Sequence, residues 1–139
     1  MNGAHDLDRF VEAQERVYER ALAEMKNGRK RSHWMWFIFP QIDGLGFSAM
    51  SQRYAIKNRE EAKAYLGHEL LGPRLIDCVE ALLTLEGLSA GEIFGYPDEM
   101  KLRSCATLFA QVSAPGSVFH RLLEKFFDGD PDPKTLRLL

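Results

Sequence analysis

Four polar residues recur at every third position of one apolar segment: Asp98, Lys101, Ser104 and Thr107. On a continuous helix they form one line beside a stripe of Leu102, Cys105, Ala106, Phe109 and Val112. Such a line is ordinarily a solvated helix face. Its other reading is the wall of a site. An amine near a carboxylate in a partly dry cleft can serve as acid, base or imine-forming nucleophile. Asp98 and Lys101 are the catalytic candidates on that reading, with Ser104 as a ligand contact.

A second group lies between Lys30 and Tyr54. The run Lys30-Arg31-Ser32-His33-Trp34-Met35-Trp36-Phe37-Ile38-Phe39-Pro40-Gln41 holds both tryptophans of the chain. Aromatic runs are ordinarily core, and cations after a helix are ordinarily solvated. The combination permits more. Trp34 or Trp36 could stack on a planar base, while Lys30, Ser48 and Ser51 meet phosphate or ribose hydroxyls. His33, Gln41 and Tyr54 interrupt or border the apolar stretches and join the ligand-binding candidates.

Several familiar chemistries are missing. There is no phosphate loop of Walker type and no Gly-x-Gly-x-x-Gly. The four histidines, His5, His33, His68 and His120, fall in unrelated contexts, and no paired Cys-x-x-Cys occurs, so neither a metal nor a cofactor is expected. A net charge of −2 makes no electrostatic case for nucleic acid. Cys78 and Cys105 sit on apolar helical faces and read as buried thiols, which suits a reducing cytoplasm. The N-terminal stretch lacks an apolar core segment, so no secretory leader is expected there. No run approaches a membrane span. The expected location is cytoplasmic.

The positioning elements read as helices. Leu7, Phe10, Val11, Gln14, Val17, Tyr18, Ala21, Leu22 and Met25 predict one helix from about Asp6 to Asn27, stopped by Gly28. Gln14 is the polar exception on its stripe, either at the edge in water or aimed into the core. His33 to Phe39 fits a short buried helix or a buried strand, and a helix is preferred because no strong strand pattern exists to pair with it. Ser48, Asn58, Ser89 and Asp132 predict four helix starts. Stripes through Leu75–Leu83, Leu102–Val112 and Val118–Phe127 predict three more apolar helices or their continuations. With 139 residues, 45% hydrophobic and 27% charged, the chain has the size and make-up of one globular domain. The expectation is a mainly α fold, a single compact domain of about seven helices over residues 1–139.

His33-Trp-Met-Trp-x-x-Phe-Pro-Gln41, Gly44-Leu-Gly-x-Ser48 and Tyr54-Ala-Ile resemble an uncharacterised bacterial family of short, mainly helical proteins. Ile93-Phe-Gly, Asp98-x-x-Lys-Leu-x-Ser104, Thr107-Leu-Phe and Gly129-x-x-Asp132 extend the likeness over nearly the whole chain. The order of elements also resembles the NADAR, or YbiA-like, superfamily. That group includes N-glycosidases that cleave a base–ribose bond in riboflavin-pathway intermediates or ADP-ribose adducts. Ser48 and Ala55-x-Lys57 match part of its early motif, but Met50 and Ser51 stand where a Glu-His pair belongs, so no catalytic residue is carried over. The resemblance implies a YbiA-like fold and a small phosphorylated ribosyl ligand that is bound or hydrolysed. The alternative is a non-catalytic adaptor, with a homodimer as its natural assembly. The two differ in what Trp34, Trp36, Asp98 and Lys101 face.

Overall fold

The computed structural model describes residues 6–139. His5 and the very N-terminus lie outside the described residues. Among those described, the chain is all-helical, with ten helices and no strand.

The long N-terminal helix expected from the stripe is two. α1 runs Asp8–Gln14 and α2 runs Tyr18–Lys26, with a turn at residues 15–17 where the Val17 N–H bonds the Gln14 carbonyl at 3.1 Å. The reason is tertiary. α1 packs on α3 (Met35–Ile38), whereas α2 packs on α6 (Leu71–Leu83), and one straight rod cannot reach both. Gln14 is aimed inward. Its Nε2 donates to the Phe37 carbonyl at 2.8 Å and to the Tyr65 hydroxyl at 3.0 Å, which satisfies an otherwise costly buried amide.

Local chemistry sets the remaining starts. Ser48 caps α4 (Ala49–Arg53) by accepting the Ser51 N–H, and Asn58 caps α5 (Arg59–Gly67) by accepting that of Glu61. Ser89 and Glu92 close a capping box at α7 (Ala90–Phe94). α8 (Asp98–Gln111) is continuous, so the polar line on it is real. Ser117 caps α9 (Val118–Phe127), and Asp132 caps α10 (Pro133–Leu138) with proline in its first turn. These extra short helices raise the total above the seven expected.

α6 and α8 form the centre. α8 packs against α5, α7, α9 and α10, and α6 against α2, α5 and α9. An aromatic chain runs through the core: Phe10 meets Tyr65 edge-on at 5.2 Å, Tyr65 lies 5.5 Å from Phe109, and Phe109 lies 5.5 Å from Phe119. Cys78 and Cys105 are free and buried, and burial pushes the Cys78 thiol up to about 12. Thr135 is fully buried and Leu139 packs on the core, which docks the C-terminus. No helix among the described residues is long and apolar enough to cross a membrane.

The segment from Lys30 to Ile56 is held by three ties. The Lys30 N–H bonds the Ile93 carbonyl at 2.7 Å. Ile42 and Ile56 form an isolated parallel bridge, in which the Ile56 N–H reaches the Gln41 carbonyl and the Asp43 N–H reaches the Ile56 carbonyl, both at 2.8 Å. The third tie is Glu24.

Candidate functional site

Glu24 projects from α2 into the base of the Lys30–Trp34 segment. Its carboxylate accepts the Arg31 N–H at 2.8 Å, the Ser32 N–H at 3.0 Å, the Ser32 hydroxyl and the Trp34 indole N–H at 2.8 Å. Burial alone would raise this acid. The Ser32 hydroxyl, the two backbone N–H groups and the indole outweigh it and hold the carboxyl at about 2. Glu24 therefore stays ionised and sets where Lys30 and the tryptophans begin.

From there the two indoles part. Trp34 is 1% exposed, sealed between Glu24, Phe39 and Phe94. Trp36 is half-buried and stands as a wall between two hollows. Lys101 reaches over it from α8, with Nζ 4.3 Å from the ring centroid, a cation–π contact.

Asp98 lies one turn before Lys101 and is gripped from both sides. Its Oδ1 is 3.2 Å from Lys101 Nζ and its Oδ2 is 2.9 Å from Lys30 Nζ. Lys30 is nearly buried, donates to the Ser32 carbonyl at 2.6 Å and lies 5.0 Å above Trp34. The two parts of the chain singled out in the sequence thus meet. They enclose a hollow of about 120 Å³ with exposed His33 and Met50 at its rim.

Beyond Trp36 and Lys101 a larger hollow of about 290 Å³ opens. Trp36, Leu45, Pro97 and Met100 give it apolar surface, and Gln41, Arg103, Ser104, Asp132 and Lys134 bring polar groups. Ser104 donates to Asp132 at 2.8 Å and to the Met100 carbonyl at 3.1 Å. Asp132 also accepts the Thr135 hydroxyl at 2.6 Å and the N–H groups of Lys134 and Thr135. Partial burial would raise Asp132, but the Thr135 and Ser104 hydroxyls and those N–H groups hold it below the usual aspartate range. Thr107, the last of the polar line, accepts the Asp132 N–H at 2.8 Å and is fully buried. The line on α8 therefore faces the cleft and α10, not bulk water.

A third pocket of about 10 Å³ lies under the Gly44–Gly46 turn. Buried Ser51 and Tyr54 line it with Gln41. Gly46 has to be glycine: a Cβ there would stand 2.7 Å from Ser51 Oγ and 2.8 Å from its Cβ. Tyr54 stacks edge-on with Phe37 at 4.9 Å. Ser48 is exposed, serves as the α4 cap and does not line these hollows.

Lys30, His33, Trp36, Gln41, Asp98, Lys101 and Ser104 are thus brought to one cleft, and Trp34 forms its inner floor. Sequence reasoning missed Glu24, Met50, Met100, Arg103 and Lys134. Asp132 was legible only as a cap; its bond to Ser104 spans 28 residues and leaves no local pattern. Around both hollows stand four cations, Lys30, Lys101, Arg103 and Lys134, against two carboxylates, Asp98 and Asp132. No group of three or more His, Cys, Asp or Glu side chains among the described residues is arranged to hold a metal ion.

A family model described as a protein of unknown function (DUF1810) matches residues 4–139. The crystal structure of the conserved hypothetical protein Rv1873 from Mycobacterium tuberculosis is similar at 50% identity, over 96% of each chain, with a TM-score of 0.94. No protein of curated function matches the chain.

Proposed function

We propose, for a chain that belongs to the DUF1810 family of proteins of unknown function, that the cleft around Trp36 binds a phosphorylated ribosyl-base compound and hydrolyses its N-glycosidic bond. The observation that carries this reading is one carboxylate held between two ammonium groups beside an indole face. The excess of cations in the cleft, within a chain of net charge −2, supports an anionic guest. The likeness in element order to NADAR-type N-glycosidases supports the reaction type.

Each residue then has a task. Trp36 offers the part of its ring that Lys101 leaves uncovered. Trp34 is sealed by Glu24 and serves as floor. An ammonium has three donors, so Lys30 and Lys101 keep N–H groups for phosphate oxygens after meeting Asp98. In the reaction the bond from ribose C1′ to the base nitrogen breaks, and its electron pair leaves with the base. The Asp98 carboxylate stabilises the cationic character that grows at C1′. Water then adds its oxygen to C1′, and the proton it sheds ends on a base that departs as an anion, or in solvent where the base departs neutral, as nicotinamide does from NAD.

The test is incubation of the purified protein with ADP-ribose, NAD and a ribosylaminopyrimidine phosphate, followed by chromatography of free base. Release from one of them is expected, at a rate that drops at least ~100-fold in Asp98→Asn. Neither binding nor release with all three overturns the reading.

One observation favours a second reading, an adaptor surface. Phe47 is 89% exposed and Tyr96 79%, and Met50 and Met100 stand open beside the hollows. A concentration-dependent dimer in sedimentation, lost in Phe47→Ser and unaffected by ligand, would select that reading.

A further inference from the structure

Gln41 is 6% exposed, and its Nε2 is a buried nitrogen that has no hydrogen-bond partner among the described residues. Its backbone is fixed by the Ile42–Ile56 bridge, so the side chain cannot leave with its loop. A buried donor left unmet destabilises a fold, and an apolar side chain of the same size would avoid that penalty. The donor's use therefore lies with something that enters from outside.

Its surroundings say what that is. Gln41 lines the larger hollow together with the apolar surface of Trp36, Leu45 and Met100. Apart from the ammonium groups of Lys101 and Lys134, the polar groups there already bond the backbone or one another. Arg103 donates to the Asp130 and Pro131 carbonyls at 2.9 and 3.0 Å, and Ser104 and Asp132 bond each other. A single free amide in a slot with an indole wall suits a planar heterocycle with one polar edge. The amide turns about its last bond without moving the rest of the side chain, because that torsion is soft.

We propose that the larger hollow is the compartment for the base, and that Gln41 is its specificity-determining residue, donating Nε2–H to a ring carbonyl oxygen. This rests on the ribosyl-base reading above and narrows it: the base is an oxo-heterocycle. The two hollows share Trp36 and Lys101. One ligand can thus place its base against Gln41 and its sugar phosphate on Lys30, Asp98 and Lys101.

The test compares inosine 5′-monophosphate with purine riboside 5′-monophosphate, which lacks the ring oxo group, and with ribose 5-phosphate. Affinities are measured by calorimetry on the full chain. The oxo nucleotide is expected to bind ~10- to 100-fold more tightly than its partner. In Gln41→Met the two nucleotides should come within about twofold of each other, while ribose 5-phosphate is unchanged. The thermal midpoint of that variant should be equal or higher, since it removes an unmet donor and keeps the volume. Equal affinity of the two nucleotides for the unaltered protein overturns the assignment of Gln41 and leaves the ribosyl-phosphate reading standing. So does a preference that survives Gln41→Met, above all with a lowered midpoint, which would mark a structural amide bonded to a trapped water. No binding by any of the three, ribose 5-phosphate included, overturns the broader reading as well.

Discussion

Trp34 and Trp36 stand two residues apart and belong to different regions of the molecule. The inner region is closed: the Glu24 carboxylate is met by four donors, and the Trp34 ring is 1% exposed. The outer region is open. Trp36 borders two hollows, Lys101 lies over its ring, and Gln41, which lines one of those hollows with it, keeps an unmet donor. Buried polar groups that saturate one another make a scaffold, whereas those left with spare valences in a concave surface await a ligand. The contrast separates Glu24, which positions, from Asp98 and Gln41, which are proposed to act on a guest.

The largest effect should come from breaking the closed region. Glu24→Ala strands the Arg31 and Ser32 N–H groups and the Trp34 indole, and should cost about 3 kcal/mol in urea unfolding. Equal stability would mean that the inner region is not the scaffold. Next, Trp36→Ala removes a half-buried ring from the open region. It should lower stability by about 2 kcal/mol and ligand affinity by at least ~10-fold. An unchanged affinity would erase the distinction between the two indoles.

Acid sharpens the same contrast. The folded value of Glu24, about 2, lies below its ordinary 4.5. Its contribution is therefore complete above the unfolded value and disappears as pH falls through the folded one. The stability gap between the unaltered chain and Glu24→Gln should be constant near neutrality. It should narrow from about pH 4.5 down towards pH 2 in acid-dependent urea titrations. A gap that persists at the acid end would contradict the hydrogen-bond account.

Ser48→Ala removes the α4 cap and should cost about 1 kcal/mol by thermal unfolding, with ligand affinity unaltered. A fall in affinity would move Ser48 into the open region. The smallest effect is a gain: Gln41→Met should stabilise by about 0.5–1 kcal/mol, the sign opposite to every change in the closed region.

The caps at Ser48, Asn58, Ser89 and Asp132 were legible in the chain because a cap bonds a partner two or three residues away. The stripes on α6, α8 and α9 were legible because helical periodicity repeats over several turns. The all-helical class, the continuity of the Asp98–Thr107 line and the two candidate regions follow from such local signals. The break between α1 and α2 does not, since it depends on which neighbours each half must reach. Nor does the parting of Trp34 from Trp36, because α3 has four residues and shows no periodicity to read. The pairing of Lys30 with Asp98, the hold of Glu24 on the indole and the unmet amide of Gln41 were decided by tertiary packing alone. Each is a relation between distant segments, and its energy comes from geometry that closes only when the helices meet.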